Sequence, residues 1–152
     1  MSDADVLSFV VLGRPRPKGS ARPIKTKDGR IFMQAPSQST EWQNSVAEVA
    51  HRSCNGRPHE GAVQLFLSCY FERPKGHYGT GRNRAKLRPS APPYPTTRST
   101  GDASKLARAI EDALTGIVYR DDSQIVDEHV IVRWTEDMDV ERAEITVRLL
   151  EG

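Results

Sequence analysis

The sequence predicts an α/β (α+β) domain: a mixed, largely antiparallel sheet of four to five strands with two main helices on one face. Three observations carry that expectation. Val63, Leu65, Leu67, Cys69 and Phe71 alternate with Gln64, Phe66, Ser68, Tyr70 and Glu72, the period of a strand with one well-buried face. Leu106, Ala109, Ile110, Ala113 and Leu114 recur at i, i+3, i+4, i+7 and i+8, one apolar stripe of a helix. Ala143, Ile145, Val147 and Leu149 alternate again, with Arg142, Glu144, Thr146 and Arg148 as their polar counterparts. A chain of 152 residues is long enough for one such core, so residues 1–152 are read as a single domain without internal repeats.

From the N-terminus, 6–12 is apolar and β-branched enough for a strand. Pro15 and Pro17 then keep the chain extended or turning. Lys27-Asp28-Gly29-Arg30 is a turn signal, and 31–34 a short strand returning from it. Ser39 is a natural N-cap for a helix over 39–53, whose apolar face is Trp42, Val46, Val49 and Ala50, with Trp42 as a core anchor. Asn55-Gly56-Arg57-Pro58 ends it. On the long strand, Cys69 falls on the apolar side and reads as a buried small hydrophobe. From 73 to 100, prolines and glycines leave no apolar period, which marks a functional and flexible loop. In the helix over 102–115, Asp102 is placed to cap the first turn with its carboxylate and Gly116 to end the last. Asp121-Asp122 turns the chain into a strand over 124–134. Glu136-Asp137-Met138-Asp139 is a polar turn before the final strand.

Hydrophobic residues make up 37% of the chain and charged residues 28%, with a net charge of +2, so overall charge selects no partner. Its distribution does. Arg14, Arg16, Lys18, Arg22, Lys25, Lys27 and Arg30 face the single acid Asp28 in one stretch. Arg73, Lys75, Arg82, Arg84, Lys86, Arg88 and Arg98 share a second stretch with no acid at all. The acids gather at 111–128 and 136–144. Two basic arms beside an acidic centre suit a polyanion that must also meet a cation site. Arg14, Arg16, Lys18 and Arg22 in the first arm, and Lys75, Arg82, Arg84, Lys86 and Arg88 in the second, are the candidate DNA contacts. His77, Tyr78 and Tyr94 among the cations allow contacts to bases or sugars.

Other classes are disfavoured. Cys54 and Cys69 have no ligand-like spacing with the histidines, and nothing demands a disulfide. Ser2-Asp3-Ala4-Asp5 carries no signal-peptide pattern, and no apolar run approaches a membrane span. A cytoplasmic protein with no membrane partner and no small-molecule cofactor is expected.

The acidic stretch has two readings. An aspartate at a helix start and an Asp-Asp pair in a loop are ordinary features of solvated turns. If the chain doubles back, however, Asp102, Asp121 and Asp122 could converge on one spot. Phosphodiester hydrolysis needs a divalent cation, because the scissile phosphate is already negative and repels hydroxide. Magnesium prefers a few carboxylate oxygens and keeps water elsewhere. Lys105 or Arg108, on the polar stripe of the same helix, could then offset charge on the pentacovalent phosphate.

Asp102-x-Ser104-Lys105-Leu106, then Ala109-Ile110-Glu111-Asp112-Ala113-Leu114-Thr115-Gly116, then Asp121-Asp122-Ser123-Gln124-Ile125-Val126 resemble the core signature of the RusA family of Holliday-junction resolvases, often carried by phages and prophages. The opening Gly13-x-Pro15-x-Pro17-Lys18 and the basic arm ahead of the signature are similar too. The resemblance implies a RusA-like fold and a homodimeric, Mg2+-dependent endodeoxyribonuclease, with Mn2+ able to substitute. It would bind a four-way junction by its structure and nick two opposing strands symmetrically, in recombination, repair or phage DNA processing, within a bacterial or phage-infected cell. It implies that Asp102 and Asp122 are catalytic, with Asp121 beside them and Arg108 as the basic residue one turn into the helix. The metal ligands would be Asp102, Asp121 and Asp122, with Ser104 standing where the family carries its second aspartate.

Serine is a much weaker ligand for a hard dication than a carboxylate. Three readings therefore stay open. The site binds metal more weakly and still cuts, with Ser104 holding a water; another acid, Asp112 or Glu111, contributes; or the chain is a branched-DNA-binding module that cuts poorly. A more general nuclease for flaps and forks is a further alternative.

Overall fold

The computed structural model describes residues 5–19, 22–34, 37–136 and 139–150. Residues 137 and 138 of the expected polar turn, and the side chain of Arg22, lie outside that description. The elements are β1 (Val6–Leu12), β2 (Arg22–Lys25), β3 (Ile31–Gln34), α1 (Ser37–Ser53), β4 (Val63–Phe71), α2 (Ala103–Leu114), β5 (Ile125–Trp134) and β6 (Arg142–Leu149). The main sheet has the order β1-β6-β4-β5. β6 lies antiparallel between β1 and β4, and β5 runs parallel to β4 at the edge.

The alternation that marks the strands also fixes their register. Phe9 and Leu67 both face Ile145 across the ladders, and Cys69 lies between Ala143 and Val132. A slip of one residue would turn this set outward, into water. Val63, Leu65, Leu67, Cys69 and Phe71 are all buried. Trp42, Val46 and Ala50 of α1 and Leu106, Ala109, Ile110 and Leu114 of α2 join them in one core. Both helices therefore cover the same face of the sheet. Cys54 and Cys69 are free thiols, and burial pushes the Cys69 thiol up to about 12. Among the described residues, no helix is long and apolar enough to cross a membrane.

Two local expectations differ from the structure. Helix α1 starts at Ser37, so Ser39 is a buried residue of its first turn rather than the cap. The short strand 31–34 does not join the main sheet; it pairs with β2 in a separate two-stranded ladder. A tight turn closes that hairpin, with Gly29 at φ +87° and the Thr26 amide donating to the Arg30 carbonyl at 2.8 Å. Pairing across so short a turn needs no long-range partner.

The parallel β4–β5 pair positions the site. Parallel neighbours require a long crossover, here the 72–102 segment followed by α2. The head of α2 consequently lies beside Val130–Val132 of β5, and its tail beside the start of that strand.

Candidate functional site

At the head of α2, Asp102 occupies the N-cap with extended backbone (φ −77°, ψ 143°), and its carbonyl accepts from the Leu106 amide at 2.9 Å. Its carboxylate, expected to cap the first turn, makes no capping hydrogen bond. It lies instead 3.8 Å from Lys105 Nζ, with both side chains largely exposed. The ammonium one turn along competes with the first-turn amides for this carboxylate. Ser104 and Arg108 are exposed on the same helix, and Arg108 is in no ion pair with a described residue. Gly101, just before the cap, has φ +86°, and a Cβ there would come within 2.9 Å of Pro17 Cγ. That close approach lays the first basic arm on α2. The Lys18 amide donates to the Lys105 carbonyl at 3.0 Å, and Lys18 Nζ meets Asp112 Oδ2 at 2.6 Å.

The tail of α2 carries a different cluster. Glu111 has its carboxyl pushed up to about 7, first by burial, then by the charge of Glu128 and a hydrogen bond with it, then by Asp122 and Asp112. Glu111, Glu128 and Asp122 thus repel one another across the helix tail and the start of β5. Tyr119 is fully buried behind them, its hydroxyl donating to the Glu111 carbonyl at 2.8 Å; burial and these acids hold its phenol protonated. Asp121 has a structural assignment. Its carboxylate accepts from the amide and hydroxyl of Ser123, which lowers its pKa and caps a 3-10 turn over Asp122–Gln124. Gln124 locks that turn. Its Oε1 accepts from the amides of Arg120 and Asp121, both at 2.9 Å, and its Nε2 donates to the carbonyls of His59 and Gly61, both at 2.7 Å.

The chain does not bring Asp102, Asp121 and Asp122 together. Asp102 stands at the head of α2, whereas Asp122 acts on Glu111, nine residues further along the helix, about 13 Å at 1.5 Å per residue. Among the described residues, no three His, Cys, Asp or Glu side chains form a group able to hold a metal ion. Of the two acids considered as replacements for Ser104, Asp112 is bound by Lys18, whereas Glu111 belongs to the tail cluster. Glu128 was not singled out from the sequence. The available signal was its place in an acid-rich run directly after Asp121-Asp122.

The basic arms divide. Arg14 turns inward: its guanidinium meets Glu141 at 2.6 Å and the Ser99 carbonyl at 3.2 Å, and lies 5.0 Å from the Phe71 ring centre. Lys18 is bound to Asp112, and Arg16 is partly buried. Lys75, Arg82, Arg84, Lys86 and Arg88 are exposed and in no ion pair with a described residue. The loop that carries them is folded on itself. Tyr78 and Leu87 form an antiparallel bridge, Gly79 N donates to Lys86 O at 2.9 Å, and Arg88 Nε donates to Tyr78 O at 2.7 Å. The Trp134 indole at the end of β5 donates to Pro92 O at 3.0 Å, as does Arg73 at 2.9 Å.

An α+β domain with acids at both ends of one helix, flanked by unpaired cations, fits a protein that acts on a nucleic-acid backbone. The family model described as endodeoxyribonuclease RusA matches residues 15–148. A Bacillus subtilis (strain 168) protein, "Uncharacterized protein YqaN", is 30% identical over 146 residues, which cover 90% of this chain and 94% of that one. The chain belongs to the RusA endodeoxyribonuclease family, a family of nucleases acting on DNA.

Proposed function

We propose that the protein is a divalent-cation-dependent endonuclease that resolves four-way DNA junctions by paired nicking, and that it does so as a homodimer. The observation that carries this reading is the Asp102 carboxylate, left exposed and uncapped at the head of α2 within the family match. A capping bond there is typically worth about 1 kcal/mol, so the position favours another use of the carboxylate.

The donor chemistry fits magnesium or manganese. Asp102 at the head, and Asp122, Glu111 and Glu128 at the tail, offer hard oxygens; burial first, and then the charges of Glu128, Asp122 and Asp112, raise Glu111, and a dication relieves the charge part. When bound, the ion supplies Lewis-acid polarisation of the phosphate and lowers the pKa of a water. Arg108 and Lys105 draw a phosphate towards the head of α2, and the exposed cations of the 73–100 loop hold the flanking backbone. Asp121 and Gln124 position Asp122 rather than touching substrate.

The helix length gives the dimer a role. Asp102 and Asp122 of one chain stand towards opposite ends of α2, and a two-fold dimer would set the Asp102 of one copy beside the Asp122 of the other. Two such sites related by the dyad would nick two opposing strands. Mixing Asp102→Asn with Asp122→Asn chains tests this. The mixed dimer holds one intact site, so single nicks in a synthetic four-way junction should return with Mg2+, while each variant alone is inactive. No restored nicking from the mixture would rule out the shared site. A second reading, a branched-DNA-binding module, is favoured by Ser104; it predicts junction binding without Mg2+- or Mn2+-dependent nicking by the native chain.

A further inference from the structure

We propose that the cavity between the 73–100 loop and the end of β5 receives one unstacked nucleotide of the DNA substrate, with the base on Tyr94 and the phosphate on Lys86 and Arg133. The inference rests on the reading above that the substrate is branched DNA, and it names the feature of that DNA that the protein recognises.

The cavity measures about 800 Å³, and Arg73, Tyr78, Lys86, Tyr94, Arg133 and Trp134 are among its lining residues. Its floor is rigid. Trp134 is 8% exposed, its indole nitrogen is bonded to the Pro92 carbonyl, the Arg73 guanidinium lies 5.3 Å from its ring centre, and His77 meets it edge-on at 5.1 Å. Its rim is aromatic and wet: Tyr94 is 60% exposed. Lys86 and Arg133 are in no ion pair with a described residue, and Glu136 is the one acid of the lining. A flat exposed ring beside unpaired cations matches a nucleobase with its phosphate. Stacked duplex bases present only their edges, so a base must leave the stack to use that ring.

The cavity also leads to the proposed chemistry. Tyr94 lines a second cleft of about 530 Å³, together with Arg98, Asp102 and Val130–Val132. The two spaces therefore follow β5 from Trp134 back to the head of α2, roughly 10 Å at about 3.3 Å per residue. A strand with one base seated against Tyr94 would run on towards Asp102. Branch points are where bases unstack most readily, so such a pocket selects structure without reading sequence.

The test uses the full-length chain in EDTA, where no cutting occurs. Binding of single-stranded (dT)6 and of a fully paired duplex is measured for the native chain, Tyr94→Ala, Tyr94→Phe and Lys86→Gln/Arg133→Gln. Tyr94→Ala should weaken (dT)6 binding about tenfold, Tyr94→Phe should restore it, and duplex binding should stay within about twofold. The double cation variant should lower the salt slope for (dT)6. Equal (dT)6 binding by Tyr94→Ala and the native chain, or equal loss for both DNAs, would overturn the pocket. So would dTMP competing as strongly as (dT)6, which would mark a mononucleotide site. The nuclease reading fails separately, if the native chain does not nick a four-way junction with Mg2+ or Mn2+.

Discussion

Replacing Glu111 with glutamine isolates the charge conflict at the tail of α2. The Glu111 carboxyl rises from its ordinary 4.5 to about 7, with burial first and the charge of Glu128 second among the causes. The native state therefore holds this proton more tightly than the unfolded chain does. The contribution to stability is fully present below about 4.5, where both states are protonated, and is lost as pH rises through about 7, where the native state must ionise. For a dry site, that rise corresponds to about 3 kcal/mol. Glu111 is only partly buried, and solvent screening reduces the figure to about 1 kcal/mol. Glutamine keeps the shape without the charge, so Glu111→Gln should be more stable than the native chain by about 1 kcal/mol above pH 7 and nearly equal to it below pH 4.5. Urea unfolding in EDTA across this range reads the difference as a shift in midpoint at unchanged slope. Parallel pH profiles for the two chains would refute the conflict, because the gap between them is the titration itself.

Three other substitutions probe the frame. Gly101→Ala places a Cβ against Pro17 in left-handed backbone and should cost about 2 kcal/mol, read as a lower Tm. Gln124→Ala removes four hydrogen bonds around the Asp122 turn; it should cost about 2 kcal/mol and reduce junction nicking more than junction binding. Replacing Arg82, Arg84 and Lys86 together with glutamine should flatten the salt dependence of DNA binding by about 0.9 in log-log slope per lost phosphate contact, and an unchanged slope would mean that the loop does not touch DNA.

What was legible in the sequence was local and periodic. The alternation at 63–71 and 143–149 and the stripe of α2 needed only side-chain spacing, and each apolar position named there is buried or packed on the core. Gly116 ends the helix region with φ +84°, as a residue without Cβ should. Pairing partners were less legible. That 31–34 returns from the turn at 27–30 was legible because the hairpin is local, whereas the parallel pairing of β5 with β4 depends on contacts remote in sequence. The candidate site was legible as residue types but not as distances. Asp102 and Asp122 are twenty positions apart with a helix between them, and nothing local says that the helix separates them. The Glu111–Glu128 pair arises from packing between a helix and a strand, and Trp134 becomes a cavity floor only when the 73–100 loop folds back on it.

The position of β5 has a consequence for motion. It is an edge strand, held through its backbone by β4 alone. Strands supported on one side open at lower free energy than those inside a sheet. Yet β5 carries Glu128, follows directly on Asp122, and ends at Trp134. This edge strand thus bears both part of the acidic cluster and the floor of the cavity, so a DNA strand lying along it would also hold it in place. Amide hydrogen exchange along Ile125–Trp134 would report that coupling as slower exchange in the bound protein.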